Sequence, residues 1–138
     1  MNFHDVMNKI EHIGIAVKNL EVSNVLFEKL LGVSHYKIEE VPSEGVKTSF
    51  FRIGDSKIEL LEALDNEGPI ARFLAKKGEG IHHIAFEVED IVKEISRLEG
   101  EGFEVLNKTP KRGADNKLVA FLHPKTVNGV LVELCQEI

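Results

Sequence analysis

Two stretches of the chain alternate large apolar residues with small or polar ones in nearly the same order. Ile10-Glu11-His12-Ile13-Gly14-Ile15-Ala16-Val17 and Ile81-His82-His83-Ile84-Ala85-Phe86-Glu87-Val88 are rich in branched side chains, and each predicts a strand. A helix signal follows each. After the first, Asn19 can cap, Val22, Leu26 and Leu30 recur at i, i+4 and i+8, and Gly32 stands where a helix stops. After the second, Asp90 can cap, Ile91, Ile95 and Leu98 form the stripe, and Gly100 and Gly102 end it. Strand-like runs complete each half: His35 to Glu40, Val46 to Ile53 and Lys57 to Leu64, then Phe103 to Lys108, Leu118 to Leu122 and Val130 to Gln136. The chain is therefore an internal repeat of strand, helix and three strands. Between the halves, Pro69 opens a short helix carrying Ile70, Phe73 and Leu74 before Gly78 and Gly80. The expected architecture is α+β: two tandem βαβββ modules at about 8–64 and about 81–137, with a connector at about 65–80. One domain over residues 1–138 is expected, because neither half is long enough to bury a good core alone.

Composition narrows the function classes. Hydrophobic residues make up 43% of the 138 and charged residues 29%, which is globular. Seventeen basic against twenty-three acidic side chains leave a net charge of −6, which argues against a general nucleic-acid binder. Cys135 is the single cysteine, so no internal disulfide is available. Met1 to Ile10 carries no apolar core of signal-peptide length, and no stretch approaches the roughly 18 apolar residues of a membrane span. The expectation is a soluble, cytoplasmic protein with neither nucleic acid nor membrane as partner.

The polar residues that interrupt the strand pattern carry the chemistry. Alternation puts His12 with Gly14 and Ala16, opposite Ile13, Ile15 and Val17, and puts His83 with Ala85, opposite Ile84 and Phe86. The last strand of each half holds a carboxylate between apolar neighbours: Glu59 between Ile58 and Leu60, and Glu133 between Val132 and Leu134. A carboxylate so placed is costly unless paired or bound to a cation. His12 precedes Glu59 by 47 residues and His83 precedes Glu133 by 50. Closing the halves about a pseudo-two-fold axis would bring all four to one point. Two imidazoles and two carboxylates suit Zn²⁺, Co²⁺, Ni²⁺ or Mn²⁺. Such an ion polarises a carbonyl and stabilises the enolate formed when an adjacent C–H loses its proton.

Other polar residues read more plainly. His82 points away from His83's face or caps the strand start, and His123 in Leu122-His123-Pro124 is a turn residue at the edge of any cavity. His4 and His35 fit no pattern, and Cys135 reads as a small buried residue on Glu133's face. The run from Lys108 to Lys117 packs four cations into ten residues. It is either a solvated loop or a site for a carboxylate or phosphate.

The doubled unit with His and Glu ligands resembles the vicinal oxygen chelate superfamily, and within it the methylmalonyl-CoA epimerases. The resemblance is carried by Ile10 to Val17, by Lys57-Ile58-Glu59-Leu60-Leu61, and by Pro69-Ile70-Ala71-Arg72-Phe73-Leu74 leading to Gly80-Ile81-His82-His83-Ile84-Ala85. Phe121-Leu122-His123-Pro124-Lys125 through Gly129-Val130-Leu131-Val132-Glu133-Leu134 completes it. It implies a curved mixed sheet around a metal-binding cavity, with His12, Glu59, His83 and Glu133 as metal ligands. Some members have Gln in place of Glu59, and either coordinates. The resemblance also implies a homodimer, Co²⁺ as the activating ion, and an acyl-CoA substrate whose (2R) and (2S) forms are interconverted by α-proton removal and return.

A thioester α-proton is only weakly acidic, so the enolate needs charge stabilisation, and inversion needs proton access to both faces. Some bacterial members carry a base glutamate three residues beyond the glycine of the Gly-Val pair; here Thr48 stands in that place after Gly45-Val46. A hydroxyl is no substitute for a carboxylate base. Glu44, Lys47 or a metal-bound water remain candidates, and Glu133 can contribute as a base. Competing readings are a glyoxalase-I-like lyase acting on a glutathione hemithioacetal, a metal-dependent dioxygenase, and a non-catalytic small-molecule binding protein on the same fold.

Overall fold

The computed structural model describes residues 7–138, so His4 lies outside the described residues. They form two compact units, one of His12–His82 and one that joins residues 7–11 to His83–Ile138. The first contains most of β1 (Lys9–Ala16), then α1 (Leu20–Leu31), β2 (Lys37–Val41), β3 (Val46–Ile53), β4 (Ser56–Ala63) and α2 (Pro69–Lys77). The second contains most of β5 (Gly80–Glu87), then α3 (Ile91–Gly100), β6 (Lys111–Gly113), β7 (Lys117–Leu122) and β8 (Val132–Glu137). Strand order is β2-β3-β4-β1 in the first and β6-β7-β8-β5 in the second. In each, the first strand runs parallel to the last and the other pairs are antiparallel. The βαβββ repeat and the α+β class expected from the sequence are both present.

The helices start and stop where their caps dictate. Asn19 accepts a hydrogen bond from Val22 N at 2.9 Å, and Gly32 closes α1 at φ 74°, a left-handed conformation that favours glycine. Asp90 accepts from Lys93 N at 3.1 Å to open α3. Ile91, Ile95 and Leu98 then pack against Val105, Ala120, Leu122, Val132 and Leu134, as the stripe predicts.

In α1 the predicted face is wrong. Val22, Leu26 and Leu30 are 66%, 61% and 70% exposed. The sheet takes Leu20, Phe27 and Leu31 instead, packed with Val17, Phe51 and Leu60. Only Val17, Lys18 and Asn19 link β1 to α1, and so short a connection sets the phase of the helix. It turns the polar-interrupted row Leu20–Ser23–Asn24–Phe27 inward and leaves the more regular apolar row outside.

A second correction concerns Phe103 to Lys108. It is no full strand: Val105 forms an isolated bridge to Leu122. Asn107 takes over the pairing with its side-chain amide, donating to Val119 O at 3.2 Å and accepting from Phe121 N at 2.9 Å. The strand role passes to Lys111–Gly113, inside the basic run.

In the first unit the two sheet faces have different cover. α1 packs on the face of Ile15, Phe51, Ile58 and Leu60. α2 lays Ile70, Phe73 and Leu74 on Ala16, Val46 and Leu61, at one end of the opposite face. Phe51→Ala should cost about 3–5 kcal/mol in urea denaturation, because it empties the α1-facing core. Phe27→Ala should also destabilise in the same assay, because α1 turns that side chain to the sheet.

Candidate functional site

In the first unit, β1 and β4 run side by side with His12 opposite Lys57, Gly14 opposite Glu59 and Ala16 opposite Leu61. Paired residues share a face, so His12 and Glu59 both stand on the side away from α1. His12 Nδ1 lies 3.0 Å from Glu59 Oε2, and both side chains are buried.

The second unit repeats the arrangement. β8 pairs with β5 so that Glu133 stands opposite Ala85, and with β7 so that Glu133 faces Phe121. His83 Nε2 lies 3.1 Å from Glu133 Oε1, again with both side chains buried. The His83 ring sits edge-on to Phe121 at 6.1 Å. Glu133's other oxygen, Oε2, accepts a hydrogen bond from the Cys135 thiol at 2.8 Å.

The four predicted residues thus come together two by two, one His–Glu pair per unit. Their donor chemistry fits a divalent ion of intermediate hardness. Each pair sets an imidazole nitrogen within about 3 Å of a carboxylate oxygen, donor atoms of the kinds such an ion would take.

Two buried polar residues of these strands, Lys57 and Glu11, went unremarked in the sequence. Lys57 is His12's cross-strand partner, on the face of Glu59. The alternation Lys57-Ile58-Glu59 carried that signal. Glu11 is buried and places a carboxylate oxygen within 4.8 Å of the Cys135 sulfur. Thr48, 1% exposed, stands on the Glu59 face of β3, opposite Leu61. Cys135 is buried as expected, and its bond to Glu133 was not foreseen.

The remaining histidines take structural parts. His123 Nδ1 accepts from Lys125 N at 3.1 Å and caps the turn Pro124–Thr126, so the turn reading holds. His82 sets its ring edge-on to Phe73 at 5.0 Å, and His35 does the same to Phe51 at 5.9 Å. In the basic run, Lys108 pairs with Glu99 at 3.5 Å and the buried Lys117 with Glu137 at 3.4 Å. Glu44 lies in the turn Pro42–Glu44 between β2 and β3.

Removing the Cys135 donor should be measurable by thermal unfolding of the metal-free protein. Cys135→Val should cost about 1–3 kcal/mol, because a buried carboxylate oxygen loses its donor. Cys135→Ser, which keeps an O–H, should recover most of that loss.

Residues 11–121 match the family described as the glyoxalase/bleomycin resistance protein/dioxygenase superfamily. An ethylmalonyl-CoA/methylmalonyl-CoA epimerase of Cereibacter sphaeroides is 43% identical over 133 residues, covering 95% of this chain and 99% of the relative. The uncharacterized protein YqjC of Bacillus subtilis is 38% identical over 130 residues, covering 94% and 93%. Among solved structures, methylmalonyl-CoA epimerase from Mycobacterium tuberculosis superposes with a TM-score of 0.94 at 31% identity, covering 100% of this chain and 93% of that one. A methylmalonyl-CoA epimerase in complex with methylmalonyl-CoA and NH4+ gives 0.92 at 33% identity, covering 95% of each. With the repeat and these likenesses in agreement, the chain belongs to that superfamily and, within it, to the methylmalonyl-CoA epimerases, which are isomerases.

Proposed function

We propose that the protein interconverts (2R)- and (2S)-methylmalonyl-CoA through an enolate, with one divalent ion held by His12, Glu59, His83 and Glu133. The observation that carries this reading is the pair of buried His–Glu contacts, at 3.0 and 3.1 Å, in repeat-equivalent places of an epimerase-family chain. Co²⁺ is the proposed ion; Zn²⁺, Mn²⁺ and Ni²⁺ suit the same donors. When bound, such an ion supplies Lewis-acid stabilisation to the thioester oxygen as negative charge develops there. Burial of the four side chains keeps competing water from the donors, and each carboxylate oriented by an imidazole offers a defined oxygen. Glu133 serves as acid and base on one face of the α-carbon, with Cys135 orienting its carboxylate. Glu44 is the sequence-derived candidate for the other face. The larger ethyl-substituted acyl group is a second substrate to try, because the Cereibacter sphaeroides relative is named for both.

We further propose one domain, a cytoplasmic location and a homodimer. No helix among the described residues is long and apolar enough to cross a membrane. Val22, Val25, Leu26 and Leu30 give α1 an apolar face without cover in its own unit. A two-fold partner presenting the same face is self-complementary to it. Leu26→Glu with Leu30→Glu should move the protein from dimer to monomer in light scattering, with an unchanged circular dichroism spectrum.

The deciding assay incubates the ion-loaded protein with methylmalonyl-CoA in D₂O and follows the α-proton by NMR beside a chelated control. Ion-dependent loss of the signal together with interconversion is expected. No exchange with ion bound would sink the epimerase reading, and the glutathione hemithioacetal would be the next substrate. In calorimetry, His12→Ala and His83→Ala should each weaken ion binding by more than the roughly 10–100-fold that loss of an outer hydrogen-bond partner costs.

A further inference from the structure

Asparagine followed by glycine is open to attack from within the chain. The glycine nitrogen can reach the asparagine side-chain carbonyl, and no Cβ hinders it. Asn128-Gly129 is the one such step in this sequence. It stands in the second unit, between the turn Pro124–Thr126 and β8, and both residues are exposed. A Cβ built on Gly129 would meet nothing within 4 Å, so the step lies open to solvent. The fold nevertheless engages the attacking atom. Gly129 N donates to Pro124 O at 2.8 Å, and the same carbonyl accepts from Val127 N at 2.9 Å. Val130 N donates to Val127 O at 2.9 Å, and Asn128 and Gly129 take φ of 53° and 84°, both left-handed. An amide whose proton is held by a carbonyl has to be released before its nitrogen can act as a nucleophile.

We propose that Asn128-Gly129 is a site of spontaneous deamidation, controlled by opening of the turn that holds Gly129 N, and that its isoaspartyl product loosens the start of β8. The turn is tied down from outside. Thr126 Oγ1 donates to His123 O at 2.9 Å and accepts from Glu104 N at 3.3 Å. His123 N donates to Glu104 O at 2.8 Å, and Lys125 Nζ lies 3.1 Å from the Glu104 carboxylate. These contacts have to loosen before the Gly129 amide leaves Pro124, so the reaction follows a local opening and not global unfolding.

The reaction needs only water. Gly129 N forms a bond to Asn128 Cγ, and the side-chain amide leaves with the Gly129 proton as ammonia, which closes a five-membered succinimide. Water then adds to one of the two ring carbonyls and breaks its bond to nitrogen. Opening at the former side-chain carbonyl restores the main chain with aspartate at 128. Opening at the other carbonyl routes the main chain through the side chain as isoaspartate. Aspartate tolerates the left-handed conformation, as asparagine does. Isoaspartate instead adds a methylene to the backbone just ahead of β8, which begins at Val132. There Ile84 N donates to Leu131 O at 3.2 Å and Ile84 pairs with Val132, the contacts that bring Glu133 opposite Ala85.

The full-length protein is aged at mildly alkaline pH in H₂¹⁸O, in buffer and in parallel in guanidinium chloride. Trypsin cleaves after Lys125, the last basic residue, and leaves Thr126 to Ile138 for mass spectrometry. One ¹⁸O should enter that peptide at residue 128, at least about 10-fold faster in denaturant than in buffer. Hydrogen exchange of the Gly129 amide in the native protein should be slowed to a similar degree. Thr126→Val should raise the rate in buffer several-fold, with its circular dichroism spectrum and its rate in denaturant unchanged. The isoaspartyl fraction, separated by chromatography, should melt at a lower temperature than Asn128→Asp, which should melt as wild type does. Absence of label at residue 128 in denaturant overturns the site. Equal rates in buffer and denaturant, or unprotected exchange at Gly129, overturn control by the turn. An isoaspartyl fraction that melts with Asn128→Asp overturns the effect on β8.

Discussion

A glutamate in the middle of an apolar strand has to be compensated, and two such glutamates organise this protein. Glu59 and Glu133 are buried where β4 and β8 would otherwise carry apolar side chains, and each has an imidazole within about 3 Å. That requirement constrains the neighbours. The strand beside each glutamate presents a small residue across from it, Gly14 or Ala85. It also divides each sheet into two faces with different duties. Large side chains such as Phe51, Leu60 and Leu134 go to the helix, and the polar ligands go to the other side.

The two pairs are not identical, and the differences are chemical. His12 turns Nδ1 to its glutamate, whereas His83 turns Nε2. Glu133 has a thiol on its second oxygen and an aromatic ring beside its histidine; Glu59 has the buried Lys57 two residues earlier on the same face. A repeat that starts from one pattern has thus acquired a carboxylate oriented by a soft donor in one unit and a cation near the carboxylate in the other.

Glu39 stands opposite Thr48 on β2. Sequence distance hides this relation: the two residues are separated by a turn and appear unrelated until the antiparallel register aligns them.

The sequence by itself determined the repeat, the strand carrying each paired His and Glu and the caps of α1 and α3, because these depend on local periodicity and on side chains that bond their own backbone. Asn19, Gly32 and Asp90 act within a few residues of themselves and were legible for that reason. The paired His and Glu residues were legible because polar side chains broke an apolar alternation twice, at matching places. What tertiary structure decided was everything that depends on a partner strand or on the phase between elements. The buried face of α1 followed from a three-residue connection, and the strand after α3 moved to Lys111–Gly113 because Asn107 met β7 through its side chain. The Cys135 bond to Glu133 and the alignment of Glu39 with Thr48 likewise exist only once the chain has folded, since distance in space, and not spacing along the chain, sets them.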